Sequence, residues 1–542
     1  MRPLAVFLGI LSCILLVQCG DGSNTAEKFA QEQILLIGNN SEPQSLDPHK
    51  ATAVADGKII ATLLEGLVRP NPENEAEVLP GAAESWEHTD NTREWTFHLR
   101  RDGKWSDGHA LTAHDFVYSY KRMLHPSFGA KYAEMLYPIK GAEDFNKGKT
   151  EWSEVGVKAL DDYTLRLTLN GPTPHLPQIL LHFTWAPVPQ HHIEANGGML
   201  DRRSRWAKPN NWVGNGAYVT DEHRINNYLS VKPNPEYWRS NEVRNKGIRF
   251  HPIVNGYTET RMYLGGKLHI SNNVPPEMIS HVQEEAPEDF CRDPYYCSIF
   301  YRLNTTRKPL NDVKVREALS LAIDRDALVT KVVRGAGTPS FAFTPSGAGY
   351  SAPRPAAADL TQHQREEKAK KLLAEAGFPN GKGFPTLVLM TSSRDVQRIM
   401  AETIQAMWAK TLGVHVEIRS CEWTAYKTAQ QNMDYDISSS SWSGDYLDPA
   451  TFVELWRSGA GNNCTGWGDD TFDLAASTAA TTDDATKRYE YLQEAEKIML
   501  HQHPIITLYH SERTYMRSSR FVRGWKPRLI DNFPLDAVEI QP

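Results

Sequence analysis

Ser45-Leu46-Asp47-Pro48-His49-Lys50, Leu64-Glu65-Gly66-Leu67, Pro80-Gly81-Ala82-Ala83-Glu84-Ser85-Trp86, Trp95-Thr96-Phe97-His98-Leu99-Arg100, Trp105-Ser106-Asp107-Gly108 and Leu111-Thr112-Ala113-His114-Asp115-Phe116 follow one another in the first quarter of the chain. Within this stretch Trp95 to Leu99 alternates apolar and polar residues, as a half-buried strand does. Upstream, Gln33 to Ile37 reads as a strand leading into Asn39-Asn40-Ser41. Downstream, Val157–Leu160 and Tyr163–Leu169 flank Asp161-Asp162, two alternating runs joined by a polar turn, which predicts a hairpin. Asp312 precedes an apolar-periodic run from Val313 to Ile323, and the charged stretch Glu366 to Ala376 closes on Gly377, a C-cap glycine. Residues 336–361, rich in Gly, Pro, Ser and Ala, read as a long surface loop. Strands and helices mix without strict alternation and without an internal repeat. An α/β (mixed α+β) protein of at least two lobes is expected.

At 542 residues the chain exceeds the size at which a single core stops growing. Its 40% hydrophobic and 23% charged residues, with net charge −7, describe a globular protein with a mildly acidic surface. The 59 Lys+Arg are scattered among 66 Asp+Glu and form no basic stripe, so no nucleic-acid partner is expected. The start differs from the rest. Arg2 precedes an apolar run from Leu4 to Val17, too short to span a bilayer and suited to the core of a signal peptide, which predicts export. The run ends in Leu15-Leu16-Val17-Gln18-Cys19-Gly20, which resembles a bacterial lipobox, although Gln18 stands where a small residue is usual. Residues 1–19 are read as a signal peptide with Cys19 lipidated, two acyl chains sufficing for a stable membrane anchor, and 20–29 as a polar tether. The alternative is a plain secretory peptide with Cys19 discarded.

Four cysteines remain beyond the signal region: Cys291, Cys297, Cys421 and Cys464. In an oxidising compartment they allow two disulfides in three connectivities. Catalytic signatures are missing: neither Gly-x-Ser-x-Gly nor His-Glu-x-x-His occurs. Gly377–Gly383 is one residue short of a phosphate loop and lacks its Ser/Thr. His191-His192 and His501-x-His503 have no acidic or sulfur partner at ligand spacing, so no metal or cofactor is expected.

The succession of motifs quoted at the outset resembles the family-5 extracellular solute-binding proteins, most closely the oligopeptide-binding proteins of ABC importers. It continues through Gly214-Asn215-Gly216-Ala217-Tyr218, Asn234-Pro235-Glu236-Tyr237-Trp238, Leu310-Asn311-Asp312-Val313 and Trp442-Ser443-Gly444-Asp445-Tyr446. The resemblance implies a periplasmic-binding-protein-like, two-lobed fold (type II, cluster C) with an extra domain on lobe I. Lobe I would comprise about 30–64, 188–296 and 508–542, the extra domain 65–187 and lobe II 297–507. It also implies a monomeric receptor, not an enzyme, in the periplasm or cell envelope. Such a receptor captures short peptides for the membrane permease and ATPase subunits of an importer. A peptide would bind as an added strand, held by main-chain hydrogen bonds, its side chains in roomy wet pockets.

In that resemblance Asp445 matches the carboxylate that meets the peptide ammonium, a charge too costly to bury unpaired. Tyr132 matches a tyrosine that contacts the same terminus. Thr52, Ala53 and Val54 on one side and Ser441, Trp442 and Ser443 on the other fall where relatives pair with or wall the ligand. Asn272, Asn273, Tyr295 and Arg302 align with segments facing the cleft. Ser439 and Gln397 stand where close relatives have an arginine and a histidine for the peptide carboxylate, leaving Arg394 or Arg302 as replacements. Ser443 replaces a cysteine that in relatives pairs with the one matched by Cys297. The competing readings are a same-fold receptor for a metal chelate, haem, an opine or a murein peptide, and a secreted hydrolase.

Overall fold

The computed structural model describes residues 25–347, 349–393 and 395–542. The signal peptide and lipobox with Cys19, residues 20–24 of the tether, and Arg394 lie outside the described residues. Two bodies of secondary structure are joined by two long antiparallel strands. The first body holds a four-stranded sheet in the order Ile34–Gly38, Gly247–His251, Tyr228–Pro233, Tyr218–Arg224, parallel at its first pair and antiparallel beyond. A second, wholly antiparallel sheet runs in the order Ala83–His88, Glu94–Leu99, Thr164–Thr168, Val157–Asp161. The helix Ala113–Leu124 packs on it, started by a capping box between Thr112 and Asp115. Both sheets contribute to one continuous core, in which Leu35, Ile37 and Phe250 are buried together with Trp95, Phe97, Trp105 and Phe116.

The other body has its own cores around a six-stranded mixed sheet. Its order is Gly337–Pro339, Ile505–Met516, Phe290–Leu303, Ile437–Ser443, Leu387–Ser392, Val416–Cys421. Phe290–Leu303 and Ile505–Met516 are the two crossings. One end of the pair joins the six-stranded sheet, and the other is bonded to the first body, where the amides of Ser271 and Val274 donate to the carbonyls of Met516 and Thr514. The register of the two strands breaks between Pro294 and Ser298, as a ladder does where it bends from one body to the other. This is the two-lobed α/β architecture expected from the sequence, with a further sheet domain sharing the core of lobe I.

The motifs of the opening stretch are its joints. Asp47, 1% exposed, accepts two hydrogen bonds from the Arg122 guanidinium at 3.0 and 2.7 Å and so ties the segment before residue 52 to the helix Ala113–Leu124. Burial opposes its ionisation, but Arg122 holds the carboxyl at about 2. Glu65 receives the Tyr237 hydroxyl and the Trp238 indole N–H, and its backbone exchanges two hydrogen bonds with the Asn215 side chain. At Gly216 an added Cβ would lie 2.5 Å from the Leu63 carbonyl carbon, so only glycine permits this approach.

Several local expectations are corrected. The helix after Asp312, whose carboxylate accepts the Lys314 amide at 2.8 Å, is Val313–Leu321, because Asp324 caps a new helical turn beyond Ile323. The charged helix begins earlier, at Gln362, where Thr361 and Gln364 form a capping box; Gly377 follows with φ +95°. The hairpin turn is Asp162-Tyr163, because Asp161 pairs with Thr164 while its carboxylate accepts the Tyr163 amide. Residues 25–29 are not tether: they open the helix Thr25–Gln31, with Ala26 and Ala30 in the core. Residues 336–361 are a surface loop only in their second half, where most described residues from 351 on are exposed or half-buried. Gly337–Pro339 is a strand, and Phe343 and Thr344 are fully buried, their amides donated to the Glu496 carboxylate at 2.8 and 2.9 Å. Cys291, Cys297, Cys421 and Cys464 are all free thiols, and Cys297 stands directly opposite Ser443 in the sheet. Among the described residues no helix is long and apolar enough to cross a membrane.

Candidate functional site

A cavity of about 780 Å³ opens between the two bodies. On the lobe I side Thr52, Ala53 and Val54 lead into the helix Val54–Leu63, whose Gly57, Lys58 and Ala61 recur at helical spacing from Val54 and line the same wall. The extra domain supplies Tyr132, His182 and Phe183. The opposite wall is Tyr295, Ser443, Gly444 and Asp445, and the C-terminal segment closes the cavity with Ile530, Asp531 and Asn532.

Asp445 is held by its neighbours' backbone and by a buried ion pair three residues on. The Gly444 amide donates to the Tyr296 carbonyl at 2.8 Å, the Asp445 amide to the Thr451 hydroxyl at 3.3 Å, and the Trp442 indole to the Thr451 carbonyl at 2.8 Å. A Cβ on Gly444 would sit 2.6 Å from the Tyr296 ring, so the close packing of this turn needs glycine. Asp448 receives both guanidinium nitrogens of Arg488 at 2.8 and 2.7 Å, and its Oδ1 also caps the helix Ala450–Val453 by accepting the Ala450 amide at 2.9 Å. The neighbouring strand Ile437–Ser443 is paired along one edge with Leu303 to Cys297, but on its other edge only Ile437 and Ser438 meet a strand. Among the described residues Ser441 to Ser443 meet no strand on that edge, which leaves it open to strand addition.

The cavity is electrostatically asymmetric. Burial, reinforced by the Glu134 carboxylate, pushes Asp445 up to about 7. Among the described residues no cation lies within ion-pair distance of it. Burial, Asp445 and Glu134 likewise push the Tyr132 hydroxyl up. His182, brought to about 4 by burial, is neutral at pH 7. Elsewhere on the wall Lys58 donates to the Asn272 side chain at 2.8 Å; burial lowers its ammonium, against the pull of Asp531. Asp531 is paired with Arg513 at 2.8 Å and accepts the Tyr295 hydroxyl at 2.7 Å.

A carboxylate pKa raised on folding destabilises: the cost is absent below the unfolded aspartate value of about 4 and fully present above about 7. Asp445→Asn is therefore expected to raise the melting temperature of the ligand-free protein at pH 8 and to leave it unchanged at pH 4. Scanning calorimetry at the two pH values checks this, and equal melting of both forms at pH 8 refutes the desolvation.

The structure brings Thr52, Ala53, Val54, Tyr132, Tyr295, Ser443 and Asp445 to one cavity. Five other sequence candidates are not among its walls. Ser441 is exposed on the open strand edge. Trp442 turns into the lobe II core through its bond to Thr451. Asn272 acts behind the wall, on Lys58, and Asn273 is exposed, its amide donated to Glu259. Arg302, 4% exposed, is sandwiched between Phe300 and Trp456 with Nη1 on the Asn463 carbonyl, because its strand position points it into lobe II. Ser439 donates to Thr391 and its carbonyl accepts the Tyr426 hydroxyl, while Gln430 bridges Ser438 and Ser440. Sequence reasoning missed Lys58, Glu134, Asp531 and Asn532. Lys58 follows Val54 at i+4 and Glu134 follows Tyr132 by two residues, so both were within reach; Asp531 and Asn532 belong to no motif and arrive by chain closure.

Residues 77–464 match the model of the bacterial extracellular solute-binding proteins, family 5. The chain is 34% identical over 540 residues to the periplasmic oligopeptide-binding protein OppA of Salmonella typhimurium, covering 98% of this chain and 96% of that protein. Among solved structures, the Escherichia coli murein tripeptide binding protein MppA superposes with a TM-score of 0.84 at 31% identity, over 94% of this chain and 99% of that one. Haemophilus influenzae OppA in complex with the peptide RPPGFSPFR does so with a TM-score of 0.82 at 31% identity, over the same shares.

Proposed function

Because the chain belongs to the bacterial extracellular solute-binding proteins of family 5, we propose that it is the extracytoplasmic substrate-binding component of a peptide ABC importer and performs no chemistry itself. The single observation that carries the reading is Asp445: among the described residues, a desolvated carboxylate with no cation at ion-pair distance, beside an unpaired strand edge. The strand edge offers main-chain hydrogen bonds that are indifferent to peptide sequence, and the carboxylate offers a place for the ammonium that every unmodified peptide carries. Thr52–Val54 share the cavity with Ser443, the end of that edge, and Tyr132 lies near enough to Asp445 to feel its charge, so the peptide would thread between the lobes with its N-terminus at Asp445.

The domain limits carried by the family resemblance are lobe I at about 30–64, 188–296 and 508–542, the extra domain at 65–187 and lobe II at 297–507. The chain works as a monomer, held to a membrane by lipid on Cys19 and handing its peptide to a permease and its ATPases. The missing arginine and histidine clamp leaves the peptide carboxylate to solvent or to Lys58, whose cationic head lines the same cavity. Native mass spectrometry of the protein purified from cells is expected to show peptide-sized adducts released on denaturation. Adducts that prove to be tetrapyrroles or metal chelates, or the failure of unfolded and refolded protein to bind any member of a short-peptide panel, would overturn the proposal.

A further inference from the structure

Away from the cavity, the fold assembles three metal-ligating side chains from two distant stretches of chain. Asp107 and His109 lie on the turn of Trp105-Ser106-Asp107-Gly108-His109. The Trp105 amide donates to the His109 carbonyl at 2.9 Å, and the Gly108 amide returns to the Trp105 carbonyl at 2.9 Å. Gly108, at φ +90°, makes the reversal that turns Asp107 and His109 to one side. His191 comes from the helix Gln190–Ala195, its ring edge against the fully buried Trp105. The Asp107 carboxylate spans the two imidazoles: Oδ2 is 2.7 Å from His191 Nε2 and Oδ1 is 3.1 Å from His109 Nδ1. The two rings stack with centroids 4.1 Å apart, so one nitrogen of each faces its own oxygen of the same carboxylate. One ligand atom from each residue lies within 4.8 Å of the others.

We propose that Asp107, His109 and His191 form a binding site for a divalent transition-metal ion of the zinc class. Two imidazole nitrogens and one carboxylate oxygen are a borderline donor set, which suits zinc and its neighbours and disfavours calcium and magnesium, whose shells are built of oxygen. Three protein donors leave one tetrahedral position to water. Among the described residues the second nitrogen of each ring has no hydrogen-bond partner, so both imidazoles can be neutral at the metal. The side chains are reachable, at 30% exposure for Asp107, 31% for His191 and 62% for His109, so the ion enters without unfolding. None of the three lines the peptide cavity. A bound ion would fasten the turn at 105–109 to the helix Gln190–Ala195, closing the seam between the sheet domain and lobe I with a crosslink.

Isothermal titration of the tag-free chain with zinc chloride at neutral pH is expected to show one site that weakens at least tenfold in His109→Ala and in His191→Ala. Calcium chloride is expected to give no heat. The melting temperature of the parent chain rises with zinc, while that of the variants does not. Equal melting of parent and variants without metal shows that the turn still folds; should either alanine variant melt lower, Asp107→Asn, which keeps the shape, takes its place. No binding by the parent chain, or binding unchanged in both variants, overturns the site and leaves the three residues as a hydrogen-bonded cluster.

Discussion

Asp445→Asn is expected to weaken binding of a short peptide with a free amino terminus by about 2–5 kcal/mol, the usual cost of breaking a desolvated charge pair. That corresponds to roughly thirtyfold to several thousandfold in Kd. The substitution keeps the shape of the side chain and every backbone contact of the turn, so the loss isolates the charge. Titration calorimetry with the same peptide N-acetylated gives the control. Acetylation removes the ammonium, so the parent protein should bind the blocked peptide poorly and the variant should treat the two peptides nearly alike. The affinity of the parent protein should also fall by about tenfold per pH unit below pH 7, because the free carboxyl, pushed up to about 7, must lose its proton before it can meet the ammonium. Undiminished affinity in Asp445→Asn, or an equal loss for blocked and free peptides, would remove Asp445 from the site.

Arg488→Met is expected to cost about 3–5 kcal/mol of folding stability, since it strands a buried carboxylate. Burial alone would push Asp448 up; His175 and Arg488 bring it below its ordinary value, and both partners of the ion pair are 3% exposed. With Arg488 gone, Asp448 must stay charged and unpaired or take up a proton, and either outcome loosens the turn that presents Asp445. Urea denaturation measures the stability, and the peptide affinity of the folded variant should drop as well. The double variant Arg488→Met, Asp448→Leu recovers most of the stability, because a well-packed apolar pair of similar volume commonly matches a buried ion pair. It does not recover the cap on the Ala450 amide, so affinity should remain impaired. A single variant as stable as the parent would show that the pair carries no weight.

The opening stretch was informative because its residues act as joints. Asp47 must find Arg122, Glu65 must find Tyr237 and Trp238, and Gly216 must let Leu63 approach; each demand fixes a residue type at a set place in the chain. The motif around Asp445 was legible on the same grounds, with Gly444 required by Tyr296 and Asp448 by Arg488. Arg302 shows the opposite. It was expected to face the cleft, but one position along a strand decides which face a side chain takes, and Arg302 takes the face turned to Phe300 and Trp456.

By itself the sequence determined the alternating strand at Trp95–Leu99, the cap at Asp312 and the two-lobed class, since these rest on interactions among near neighbours or on motifs read in order. Tertiary structure alone decided which walls share the cavity, that Phe343 and Thr344 run inward to Glu496, and that His191 meets an acidic partner 84 positions away. Local patterns are set by contacts a few residues apart. The meeting of distant side chains depends on how the whole chain closes, which no window of sequence contains.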